Sequence, residues 1–146
     1  MKKHILIIDD DAQLCRTLSR IIAQMGHRVQ TALSFASGFA IARSEEVDLV
    51  LLDVWLPGLD GLDTLNQLRE RNFDVVVVMI SGHGTIETAV RATKLGAFDF
   101  VEKPLSLEKT LLVLRNALRQ RQLERRNRHL IEKLSRDTEI IGRSRA

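Results

Sequence analysis

Short apolar runs alternate with amphipathic stretches five times along this chain, and few folds are compatible with that rhythm. Ile5–Ile8 is β-branched and closed by three aspartates. Val47–Leu52, apolar apart from Asp48, ends at Asp53, and Val75–Ile80 is six apolar residues ended by Ser81. Near-continuous runs of this length describe parallel strands buried on both faces rather than half-exposed strands, which alternate. Arg28–Ala32 and Phe98–Val101 read as two weaker strands. Between them Ala12–Met25, Phe35–Arg43, Leu62–Arg71 and Thr85–Leu95 carry helical spacing, with Gly26 and Gly96 as stops and Ser34 as a cap. A last helix starts near Ser106. Right-handed crossovers turn such a series into an α/β fold: a doubly wound, five-stranded parallel sheet with five helices. Its site is expected at the carboxyl ends of the strands, where the strand order reverses.

The length, 146 residues, suits one domain with a real core. A membrane span needs about 20 consecutive apolar residues, so none is expected. The N-terminus lacks the apolar stretch of a signal peptide, and a single cysteine, Cys15, makes no internal disulfide; both fit the cytoplasm. Charge is divided unevenly. Residues 1–105 hold 11 basic and 14 acidic side chains, whereas 106–146 hold 11 basic and 5 acidic. The basic end has few aromatics and no helix-turn-helix pattern, so it reads as a solvated helix face rather than a DNA-binding element.

The residues that follow the strands carry the chemistry. Strand one leads into Asp9, Asp10 and Asp11; strand three into Asp53; strand four into Ser81; strand five into Lys103 and Pro104. The fold collects them at one edge. Converging carboxylates raise one another's pKa, and a hard divalent cation relieves the repulsion. Oxygen ligands without His or Cys suit Mg²⁺. A carboxylate beside such an ion can accept a phosphoryl group, with a hydroxyl (Ser81) and a cation (Lys103) on the other phosphoryl oxygens. Asp11 is expected to serve the first helix rather than the metal. Two other uses of this layout fit poorly. A nucleotide or flavin binder needs a phosphate-cradling loop after strand one, where three aspartates would repel it. An aspartyl-phosphate hydrolase usually carries a second acid two residues after its nucleophile, and here that residue is Trp55.

The stretches 5–11, 51–61 (Leu-Leu-Asp-Val-Trp-Leu-Pro-Gly-Leu-Asp-Gly), 81–84 (Ser-Gly-His-Gly) and 102–104 (Glu-Lys-Pro) resemble the receiver domain of two-component response regulators, over residues 4 to about 120. The resemblance implies a CheY-like fold with flavodoxin-like strand order. It also implies phosphorylation of Asp53 by a sensor histidine kinase, and Mg²⁺ held by Asp9, Asp10, Asp53 and the backbone carbonyl of Trp55. Ser81 and Phe100 are then the switch residues and Lys103 the partner of the acyl phosphate. Such a domain takes part in its own phosphotransfer and is not an enzyme acting on a separate substrate. The chain has no tyrosine, so the switch aromatic, Phe100, lacks a hydroxyl. Trp55 and His83 are bulky groups expected to hinder the attacking water and prolong the phosphorylated state.

The final helix carries Leu107, Leu111, Leu114 and Leu118, expected to face the sheet. A second stripe, Leu123, Asn127, Leu130 and Leu134, lies on another face and suits a homodimeric helical linker over 121–138, with Asn127 setting register. Residues 1–120 form the receiver in this reading. Glu139-Ile140-Ile141-Gly142-Arg143-Ser144 resembles the opening of the AAA+ ATPase domain of NtrC/DctD-like activators, so 139–146 is expected to begin such a domain. The resemblance implies a full-length protein that binds DNA and sigma-54 RNA polymerase and has no membrane segment. A receiver with a different output, or none, is the alternative.

Overall fold

The computed structural model describes residues 2–53, 55–56, 59–70, 75–82, 86–103 and 105–142. Five parallel strands, β1 (His4–Ile8), β2 (Arg28–Ala32), β3 (Leu49–Asp53), β6 (Val76–Ser81) and β7 (Asp99–Glu102), form one sheet in the order β2-β1-β3-β6-β7. The helices are α1 (Ala12–Gln24), α2 (Phe35–Ser44), α3 (Gly61–Glu70), α4 (Ile86–Lys94) and α5 (Leu107–Gly142). The order reverses between β1 and β3, so their carboxyl ends frame the expected crevice.

Burial explains the pattern. Every residue of β1, β3 and β6 is buried, because helices cover both faces. Leu6, Ile8, Val50, Leu52, Val77 and Met79 pack with residues of α2, α3 and α4. Ile5, Ile7, Leu49, Leu51, Val78 and Ile80 pack with Leu18 and Ile22 of α1 and Leu114 and Leu118 of α5. The edge strand β2 is only partly covered, with Ala32 its one buried residue. Helix ends follow local chemistry. The Asp11 carboxylate accepts the N–H groups of Gln13 and Leu14 and caps α1; the Ser34 hydroxyl accepts that of Ser37 and caps α2. Gly26 and Gly96 take positive φ (91° and 97°) after α1 and α4, where a Cβ would strain the turn.

Two features depart from expectation. Pro57-Gly58 and Asp60-Gly61 mark a loop in the sequence, yet Trp55–Leu56 (β4) and Leu59–Asp60 (β5) pair as a two-stranded antiparallel ribbon; two-residue strands are too short to show a period. Leu107 does not face the sheet: it is 48% exposed. Leu114 and Leu118 do face the sheet, Leu111 is half-buried against the same cluster, and Thr110, Val113, Ala117 and Arg121 complete the buried stripe of α5. α5 runs on across residue 120 into residues 121–138, with Leu123, Leu130 and Leu134 exposed.

Candidate functional site

The carboxyl edge of the sheet brings acids from two strands together. Asp9 follows β1 and is fully buried; Asp53 ends β3 and is 3% exposed; Asp10 is exposed. One carboxylate oxygen from each lies within 4.8 Å of the others. The Lys103 ammonium enters from just after β7, 2.9 Å from Asp9 Oδ2 and 3.2 Å from Asp53 Oδ2. Its backbone N–H donates to the Ser81 carbonyl at 2.7 Å, fixing the turn against β6. Ser81 ends β6 and is fully buried. Asp9 Oδ1 accepts the N–H of Asp11 at 2.9 Å, which orients the carboxylate without neutralising it.

Three carboxylates therefore face one ammonium. Burial pushes the Asp9 carboxyl above the ordinary 3.8 and the charge of Asp53 adds to this; the Asp11 N–H and Lys103 pull the other way and lose. Burial disfavours the Lys103 cation, but its ion pairs with Asp9 and Asp53 outweigh that and hold its pKa above the ordinary value. Three carboxylates against one ammonium leave the edge with excess negative charge. An all-oxygen donor set with excess negative charge fits a hard divalent cation and offers nothing to a thiophilic one. Cys15, buried beneath the site with its Sγ 3.5 Å from the Asp9 carbonyl, is no competing ligand: burial, then Asp9 and Asp11, push its thiol to about 11.

Asp9, Asp10, Asp53 and Lys103 are thus assembled as expected, with Ser81 on the neighbouring strand end. Asp11 caps α1. Phe100 lies in β7 opposite Met79, half-buried against the core cluster that contains Leu6 and Leu52. Trp55 opens β4; its side chain, His83 and Pro104 lie outside the described residues. Sequence reasoning passed over Asp48, whose partners on α5 are too distant in the chain to show as a motif.

Comparison with known proteins supplies the family. The response regulator receiver domain family matches residues 5–115. The nitrogen assimilation regulatory protein NtrX of Azorhizobium caulinodans is 38% identical over 146 residues, 99% of this chain and 32% of its own length. The C4-dicarboxylate transport transcriptional regulatory protein DctD of Pseudomonas aeruginosa is 37% identical over 141 residues, 96% of this chain and 30% of its own. The chain thus spans about a third of the length of these curated relatives. The crystal structure of the receiver domain of NtrX from Brucella abortus superposes with a TM-score of 0.73 at 41% identity, covering 79% of this chain and 98% of that one. A sheet that reverses between β1 and β3, acids at both strand ends with a lysine between them, and these matches place the chain in the response regulator receiver domain family, similar to the receivers of NtrX and DctD.

Proposed function

We propose that Asp53 accepts a phosphoryl group from the phosphohistidine of a sensor histidine kinase. The observation that carries this is the convergence of Asp9, Asp10 and Asp53 on one another with the Lys103 ammonium between two of them. A carboxylate oxygen of Asp53 forms the new O–P bond as the N–P bond breaks. The imidazole leaves as a neutral ring after taking a proton from solvent. Asp9, Asp10, Asp53 and the Trp55 carbonyl would hold Mg²⁺, which supplies positive charge to the transferred phosphoryl oxygens. The Lys103 ammonium binds a further phosphoryl oxygen and the Ser81 hydroxyl another. The domain transforms itself and turns over no separate substrate.

Ser81 and Phe100 are the proposed switch. Movement of the Ser81 hydroxyl toward the phosphoryl group frees space beside β6 for Phe100, already half-buried opposite Met79. Two-state surfaces of this kind shift an association equilibrium by their differential affinity. The proposed association uses residues 121–138 as a homodimeric linker. Leu123, Leu130 and Leu134 are 55%, 51% and 64% exposed, with Asn127 in the same stripe. In a parallel pair, Arg119 of one copy falls beside Glu124 of the other. Residues 139–146 would open an AAA+ ATPase domain, giving a cytoplasmic sigma-54 activator that binds DNA and sigma-54 RNA polymerase; similarity to NtrX and DctD over nearly all of this chain supports this. Among the described residues no helix is long and apolar enough to cross a membrane.

The test is intact-protein mass after incubation with a small acyl-phosphate donor and Mg²⁺. One added phosphoryl group, absent in Asp53→Ala, is expected. Molar mass in solution with beryllofluoride then reads the switch: a change in wild type that Asp53→Ala lacks. Phosphorylation that persists in Asp53→Ala would overturn the site.

A further inference from the structure

The opposite end of β3 carries a second charged assembly. Asp48 immediately precedes the strand, 7% exposed. Its N–H donates to the His4 carbonyl at 2.8 Å and its own carbonyl accepts Val76 N–H at 3.1 Å, so its backbone is tied to β1 and to the start of β6. One carboxylate oxygen accepts His4 N–H at 2.9 Å. The other faces α5: Arg121 Nε lies 3.5 Å away and Arg125 Nη1 3.3 Å away. Arg125 also pairs with Glu46 through its other terminal nitrogen.

Arg121 is 2% exposed. It continues the buried stripe of Leu114, Ala117 and Leu118, where an apolar side chain would pack at less desolvation cost. What an arginine adds there is direction: its charge is drawn toward the Asp48 carboxylate, 3.5 Å from its Nε. Burial along the helix falls off accordingly. Residue 121 is buried, 122 and 125 are half-buried, and 126–134 are all exposed.

We propose that Glu46 and Asp48 form an acidic socket that seats Arg121 and Arg125 and fixes the direction in which α5 leaves the sheet. Residues 107–125 then move with the receiver as one body, and the helix is independent only beyond Arg125. The socket makes Arg121 and Arg125 positioning residues for whatever the helix carries. It stands whether or not Asp53 is phosphorylated. Its consequence for signalling does rest on that reading: Asp48 and Asp53 bound the same strand, so a shift of β3 reaches α5 without crossing a loose joint.

Amide hydrogen exchange on the whole chain, without phosphodonor, tests the socket. In wild type, amides 119–125 should exchange as slowly as 111–118. Arg121→Met with Arg125→Ala should accelerate 119–125 about tenfold, the lower range of a lost charge-assisted contact, and leave β1 and β6 unchanged. Asp48→Asn should do the same. It lies outside the helix, so the acceleration would report the socket rather than helix propensity or self-association. Combining all three changes should add little. Should Asp48→Asn unfold the sheet, seen as lost protection in β1 and β6, the arginine variant decides alone. Unchanged protection of 119–125 in that variant overturns the proposal. Success or failure here leaves phosphorylation of Asp53 to be read separately by mass.

Discussion

Mg²⁺ should raise the melting temperature, and Asp9→Asn should remove most of that rise while stabilising the metal-free protein. At an effective dielectric of about 20, two carboxylates no more than 4.8 Å apart repel by roughly 3.5 kcal/mol or more. Lys103, 2.9 Å from Asp9 and itself partly exposed, offsets part of this. Asp9→Asn keeps an oxygen for the Asp11 N–H and discards the buried charge, so the metal-free variant should gain about 1–2 kcal/mol at neutral pH. Mg²⁺ at ten times its dissociation constant adds RT ln 11, about 1.4 kcal/mol, or about 3–5 °C for a domain this size. The pH dependence has a definite sign. The folded Asp9 pKa lies above the ordinary 3.8, so the fold favours its protonated form. That contribution is complete below 3.8 and is lost as pH rises through the folded value. The cation binds the ionised form, so the Mg²⁺-induced rise should be smallest in acid and grow across the same window. Thermal melts with Mg²⁺ against NaCl of equal ionic strength measure this. An equal rise in Asp9→Asn, or the same rise with NaCl, would refute the reasoning.

Lys103→Met removes the ammonium from between Asp9 and Asp53. Urea midpoints should then fall by about 2 kcal/mol at neutral pH and by less in acid, where Asp9 is protonated. A Cβ at Gly38 would meet Ile8 Cδ1 at 2.5 Å and Cγ1 at 2.7 Å. Gly38→Ala should therefore cost about 1–2 kcal/mol of overpacking despite the better helix former, and Ile8→Val in the same chain should recover part of it. Cys15, buried with its thiol pushed to about 11, should react with a thiol reagent at pH 8 only as fast as the domain opens.

Central strands were legible because parallel strands covered on both faces leave unbroken apolar runs: β1, β3 and β6 stand out in the sequence for the reason that they are fully buried. The acidic edge was legible because strand ends in a doubly wound sheet converge, so Asp9, Asp53, Ser81 and Lys103 needed only their positions after strands. The socket was not. Arg125 and Glu46 stand 79 residues apart, and a lone Asp48 before an apolar run looks like a loop residue. Leucine spacing found Leu114 and Leu118 in the core but placed Leu107 with them, because spacing alone does not say where along the helix contact with the sheet begins.

The geometry of α5 also has a mechanical side. At 1.5 Å per residue, Val113 to Arg125 spans about 18 Å, and Arg125 to Gly142 about 26 Å more. If the receiver and residues 107–125 turn together about Val113, each ångström by which that turn displaces Arg125 carries Gly142 about 2.4 Å, by similar triangles on those lengths. The receiver thus holds a lever by its short arm. Displacements too small to expose new surface on the domain itself arrive at Gly142 as changes comparable to the packing tolerance between helices.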